Sequence, residues 1–568
     1  MTDDETHNNS NSPSQPLLSN KPTPYSIDDP PLLSSSSPHD EIIESDENQY
    51  PIITFNYDSR TYQDLPFSIL FFLFLLCTFG FGIFSIFHRN PNSSSSDLSS
   101  FTYNFNTSSC VKIKSSPPFA SNFLTTVLED FKFGDQISLV GLGFGSSSSS
   151  HVLKDLILTL IVTLVLSGPF ALGLLWLLRH YTKQIIYSSI PFFVLIPIFF
   201  NVYWFVACTI KSKCRDAFPL VYRILALLFV FLIIGVIVWI IVVNWHRIEL
   251  TVRIVGVASD ALARNLGLFA VLPCLTIGLV IYYVPIVVFL VFSSKNGKIL
   301  PHVDSEGSYT CVWKQDRWVP AYYALAILTM LWSAAAMVEA QVFLISGTIA
   351  QWYFSKEDSM PMRSIRFSLR NAFGPSFGTV CFSGLLIAAV RIVRAAVDSA
   401  RREDALPGIV NLALRCCVNG LLSAVDFLNK FTINFAAITG EAYCSSAKMT
   451  YELLKRNLLS AVFVETVSTR ILAGTIFVLS AIYAIVVCAI LKGVSDLEVE
   501  VYFVAVAAGL LLIVVLGFFV HVLDNVIETV YVCFAIDRDK GEVFKQEVHD
   551  VYVHLPISRN HTRTPLIV

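Results

Sequence analysis

About ten runs of roughly 20 mostly apolar residues succeed one another along this chain, and each is long enough to cross a bilayer core of about 30 Å. They are Pro66 to Phe87, Asp155 to Leu178, Ile185 to Ile210, Ala217 to Val243, Leu266 to Phe292, Val319 to Val342, Ala372 to Val393, Gly408 to Thr439, Ile471 to Leu491 and Val501 to Val522. In lipid, a strand without a closed sheet leaves its backbone groups unpaired, so every run is predicted to be a helix. The expected fold is therefore an all-α polytopic membrane protein with about ten transmembrane helices. Composition agrees: 54% of the 568 residues are hydrophobic and 15% charged, outside the soluble globular range. Pro197, Pro273, Pro285 and the Gly374-Pro375 pair predict kinks or breaks. A net charge of −3 without a long basic block argues against a nucleic-acid partner.

Residues 1–64 are rich in Ser, Pro, Asn and Asp and are predicted to be a disordered cytosolic tail. The transmembrane domain is expected over 65–540, with a large extracellular or lumenal loop at 88–151, and 541–568 as a cytosolic C-terminal tail. No secretory signal peptide is read at the start, so the first apolar run is expected to be retained. Two glycosylation sequons, at Asn92 and Asn106, put the large loop outside. Basic residues after spans two, four and six agree with that sidedness, among them Arg179, Lys183, Arg247, Arg366 and Arg370. Lys211, Lys213, Arg215, Arg391, Arg394, Arg401 and Arg402 disagree. Either they sit on helices that project beyond the bilayer, or the run Val342 to Tyr353 dips in and changes the parity. In the tail, "DDPPLL" (Asp28 to Leu33) and "YPII" at Tyr50 have sorting-signal spacing, which makes sorting adaptors candidate partners.

The twelve cysteines contain no pair of C-x-x-C units, so no metal or cofactor is expected. Cys110 and Cys311 both fall on the outer side, in an oxidising compartment, and form the candidate disulfide.

Charges inside spans cost about 2.5 to 3.5 kcal/mol each at mid-bilayer, so they point to function. Glu339 is the clearest, and the small residues around it (Ser333, Ala334, Ala335, Ala336, Ala340, Ser346, Gly347) predict that it faces neighbouring helices. Its role is either a structural hydrogen bond or a substrate or proton site. His521, Asp524, Asn525 and Glu528 share one helical face and read as a polar stripe on a helix emerging into water. Glu249, Arg253, Asp260 and Arg264 read as a connecting helix at the interface. A quaternary ammonium is held by aromatic faces beside an acid. Trp332, Trp352 and Tyr353 share a segment with Glu339, and Tyr282 and Tyr283 lie in span five; the same residues also fit interfacial belts.

One late stretch is more polar than its surroundings. "FLNKFTINFAAITGEAYCSSAKMTYELLKRN" (Phe427 to Asn457) resembles the signature of the choline transporter-like family. Three further blocks resemble that family in the same order: "SGTIAQWYF" (Ser346 to Phe354), "SLRNAFGPSFGTVCFSGLLIAAVRIVR" (Ser368 to Arg394) and "ETVYVCFAIDRD" (Glu528 to Asp539). The resemblance covers roughly Val243 to Gly541, and the short, Cys-poor first loop points to a plant or fungal-like branch. The family pattern carries no acid at Glu339, which marks that residue as particular to this chain or its branch.

The resemblance implies about ten transmembrane helices, cytosolic termini, and transport of choline or an ethanolamine-like amine without ATP hydrolysis. It implies a multi-pass plasma-membrane protein, with trans-Golgi or endosomal membranes as further locations. The polar run is then expected as a helix to Thr439, a break at Gly440, and a second, amphipathic helix at the membrane surface. Candidate substrate residues are Trp332, Glu339, Trp352, Tyr353 and Tyr443, the last as a gate. The rival reading is a non-transporting membrane protein that organises lipid homeostasis or vesicle trafficking through its tail. An enzyme is not expected, since no His/Asp or Ser/His constellation gathers on one side of the membrane.

Overall fold

The structure, a computed structural model, describes residues 55–56, 60–88, 101–105, 107–112, 149–210, 214, 219–243, 245–303, 309–355, 364–399, 408–494, 500–541 and 543–555. The sorting elements at Asp28 to Leu33 and Tyr50, both loop sequons (Asn92 and Asn106), Arg401, Arg402 and most of the two tails lie outside the described residues.

The elements run α1 (Leu65–Phe87), β1 (Phe101–Asn104), β2 (Ser109–Lys112), α2 (Ser149–Ile210), α3 (Leu220–Val243), α4 (Trp245–Arg264), α5 (Leu268–Ser294), β3 (Gly297–Val303) and β4 (Tyr309–Gln315). They continue with α6 (Val319–Phe354), α7 (Ser364–Ala372), α8 (Phe377–Ser399), α9 (Gly408–Thr439), α10 (Tyr443–Val494), α11 (Glu500–Lys540) and α12 (Gln546–Tyr552). Among the described residues, nine helices are long and apolar enough to cross a membrane. One of them, Leu153–Ile210, has 58 residues and so about 87 Å of length, room for two crossings. Its backbone breaks from helical geometry at Tyr181 (φ −130°, ψ 28°), between the two spans expected there. The count of ten runs is thereby recovered.

Helix length resolves one reading of the sequence. Val342 to Tyr353 continues the 36-residue α6 and makes no separate dip. Arg391 and Arg394 lie on the last turns of α8, where Arg394 pairs with Asp426 of α9 at 3.1 Å. One expectation is corrected. No separate surface helix follows Gly440; α10 runs unbroken for 52 residues from Tyr443, since no proline interrupts it.

The two hairpins, β1–β2 and β3–β4, are joined by a disulfide between Cys110 and Cys311 and by stacked Tyr103 and Tyr309 rings 4.4 Å apart. A second disulfide, Cys208–Cys214, closes the end of α2. With ten crossings, all four of these cysteines fall on the same side.

The centre of the bundle is where helices lose their exposed face. Every residue from Glu339 to Phe354 on α6, and from Val522 to Asp537 on α11, is buried, as befits a helix surrounded by others. The charged stripe of α4 pairs internally (Arg264 to Asp260, 2.7 Å) and with Arg179 (2.9 Å to Asp260). The opposite face, with Leu250, Ile254, Val255 and Leu262, packs on α2 and α11. That makes α4 the connecting helix that its sequence predicts. Tyr282 and Tyr283 dock α5 onto α6 through Ser333 (3.2 Å) and the Met330 carbonyl (2.7 Å).

Candidate functional site

The site begins with a close approach. Gly384 on α8 lies against α6 so tightly that a Cβ would stand 2.6 Å from the Ala336 backbone. This contact brings Ser383 to Glu339, which is only 7% exposed. Ser383 Oγ stands 2.9 Å from Glu339 Oε2 and 2.9 Å from Asn429 Oδ1 on α9. Tyr443, the first residue of α10, donates its hydroxyl to the same Asn429 oxygen at 2.7 Å. Four helices thus meet in one chain, Glu339–Ser383–Asn429–Tyr443. Ser383 Oγ is the donor in both contacts, its single proton facing two acceptor oxygens. Among the described residues no Lys, Arg or His forms an ion pair with Glu339. The cationic groups whose fields reach it, Arg391 and Lys430, act at longer range.

The other sequence-derived candidates divide into two sets. Trp332 lies two turns before Glu339 on α6, about 10 Å along the axis. It is buried edge-on to Phe71 (5.2 Å) and Phe74 (5.4 Å), and its indole N–H donates to the Cys381 carbonyl at 2.9 Å. Beside it, the Phe382 ring stacks on Phe67 (4.0 Å) and meets Tyr443 edge-on (4.6 Å). Trp352 and Tyr353 lie 13 and 14 residues beyond Glu339, about 20 Å away at the other end of α6. There Tyr353 donates to Asp537 (2.7 Å), and Lys545 sits 5.8 Å over the Trp352 ring. A ligand of choline's size does not touch both ends.

A second acidic centre corrects the reading of "HVLDNVIE". Asp524 is 5% exposed and Glu528 fully buried, so this stripe does not emerge into water. Lys430 of α9 reaches in and forms ion pairs with both, at 3.2 Å to Asp524 Oδ2, and Thr469 of α10 donates to Asp524 Oδ1 at 2.7 Å. The face was legible from its spacing; its partner, a lysine nearly a hundred residues earlier, was not. Ser383 and Asn429 were missed for another reason: Ser and Asn are unremarkable within a helix. The polar Asn429-Lys430 pair inside an otherwise apolar run was the available clue.

Comparison with known proteins identifies relatives of this chain. The family model described as plasma-membrane choline transporter matches residues 228–539, more than half of the chain. A CTL-like protein of Dictyostelium discoideum is 24% identical over 223 residues, 38% of this chain and 40% of its own length. Choline transporter-like protein 5 of Macaca fascicularis is 26% identical over 247 residues, covering 40% and 34%. Protein PNS1 of Gibberella zeae is 27% identical over 173 residues, covering 30% and 31%. Each match spans between about a third and two fifths of the relative's length.

Proposed function

This chain belongs to the choline transporter-like family, and we propose that it is a plasma-membrane carrier of choline or a closely related amine, working by alternating access without ATP hydrolysis. One observation carries the reading: a carboxylic acid buried at the meeting point of α6, α8, α9 and α10, with no ion pair among the described residues. An organic cation supplies the missing positive charge. Aromatic faces nearby, Trp332, Phe382 and Tyr443, are the groups that hold an ammonium unable to donate a hydrogen bond. Glu339 is then the charge partner, Ser383 and Asn429 position it, and Tyr443 closes the path. Trp352 and Tyr353 belong to the far end of the pathway.

The test is uptake of labelled choline into proteoliposomes carrying the purified chain, with ethanolamine, betaine and unlabelled choline as competitors. Saturable uptake blocked by choline, and lowered by Glu339→Gln at equal folding and insertion, is the expected result. Folded and inserted protein without flux would move the reading to the organiser of lipid homeostasis or trafficking.

A further inference from the structure

The segment just before α1 crosses one end of the bundle, over the junction where α9 stops and α8 and α10 begin. The Asn56 backbone N–H donates to the Ile438 carbonyl (3.1 Å), and one Arg60 Nη donates to the Ala437 carbonyl (2.7 Å). Two of the carbonyls left open by the last turn of α9 are thereby taken up. Gln63 N–H donates to the Pro375 carbonyl (2.9 Å) in the turn before α8. Asp64 completes the crossing with a single oxygen, Oδ2, which accepts from the Tyr443 N–H (2.7 Å) and from Thr379 Oγ1 (2.8 Å). A cation thus lies at the C-terminal end of one helix and an anion at the N-terminal ends of two others, matching the helix dipoles. Glycines make the room. A Cβ at Gly378 would stand 2.3 Å from the Asp64 carbonyl oxygen, and one at Gly440 (φ +77°) would meet the Arg60 side chain at 3.0 Å.

Two features suit this crossing to release. It ends on Tyr443, the residue that also ends the Glu339 chain, so the site and the segment share one anchor. It also buries a charge incompletely. Arg60 lies over the Phe55 and Phe343 rings (6.0 and 5.9 Å), and its Nε and second Nη are buried without a hydrogen-bond partner among the described residues. Burial lowers its pKa to about 10. An unpaired buried donor opposes the closed arrangement, and release relieves it.

From these contacts we infer that residues 55, 56 and 60–64 are a latch: seated, they hold α8, α9 and α10 together over the path to Glu339 from the side of the N-terminus, and their release opens that side. As a gate for the Glu339 site the latch rests on the carrier reading, so its test uses no flux measurement. Ala436 is buried, one turn before Gly440 and seven residues past Asn429 on the same face of α9, so a cysteine there lies behind the latch. Ala436→Cys protein in proteoliposomes is treated with a membrane-impermeant maleimide, and the adduct is quantified by peptide mass spectrometry. The native, fully buried Cys533 of α11 serves as the folding control.

Adding Asp64→Ala removes two hydrogen bonds to a charged group, and adding Gly378→Ala separately displaces the backbone; each is expected to raise labelling at position 436 by about tenfold while Cys533 stays unlabelled. Where labelling of Cys533 shows that Asp64→Ala has unfolded the protein, Gly378→Ala decides. Unchanged labelling at position 436 in a folded variant overturns the latch. Raised labelling in a protein that carries no choline retains the latch and removes only the carrier reading.

Discussion

Two acidic centres lie inside this bundle, one reached through Asn429 and the other through the adjacent Lys430 of α9, and their acids are partnered differently. Asp524 and Glu528 face Lys430, a cation supplied by the chain itself. Glu339 contacts the neutral Ser383 and, through it, Asn429 and Tyr443, and Arg391 and Lys430 reach it only at longer range. A buried acid paired with a lysine of its own chain is tied down. A buried acid held by hydroxyls and an amide can accept one, because the partners that position it leave its charge uncompensated. The first centre is therefore read as a brace between α9 and α11, and the second as the place where a ligand's charge is met.

Substitutions can break or sharpen this contrast. The largest effect is expected at the brace: Lys430→Ala strips the counter-charge from two buried carboxylates and should cost about 3–5 kcal/mol of stability, read as a large fall in the thermal unfolding midpoint in detergent. An unchanged midpoint would erase the distinction between the two centres. Glu339→Gln is next. Its amide can still donate to Ser383, so the fold should hold, while loss of a charged contact worth about 1.5–3 kcal/mol should lower choline uptake roughly ten- to a hundredfold. Loss of stability with no loss of uptake per folded molecule would make Glu339 another brace. Tyr443→Phe removes one hydrogen bond to Asn429, about 1 kcal/mol, and should change the KM for choline by about fivefold. Trp352→Phe keeps an aromatic ring some 20 Å from the acid and should leave that KM within about twofold; a larger shift would place the two ends of α6 in one site after all.

Much of this was legible in the chain. Ten apolar runs and their helical character follow from bilayer thickness and backbone hydrogen bonding, and Glu339 is conspicuous as an acid among small residues. The 20 Å that separates it from Trp352 was also available, from rise per residue alone, and argued against a single cage. What could not be read was pairing between distant segments. Asp524 and Glu528 look the same in sequence whether they face water or Lys430, because a polar helical stripe records only that its residues share a face. Tyr443 was placed near a glycine break, but its tie to Asp64 spans 379 residues and exists only in the folded chain. The polar run after Gly440, expected from the resemblance as a separate surface helix, is instead the first turns of α10.

The central claim, that Glu339 meets the charge of an organic cation, is tested most directly by binding of labelled choline to purified wild-type and Glu339→Gln protein with matched unfolding midpoints. Saturable binding to the wild type, weakened tenfold or more in Glu339→Gln, is the predicted result. Equal binding by the two proteins would contradict it.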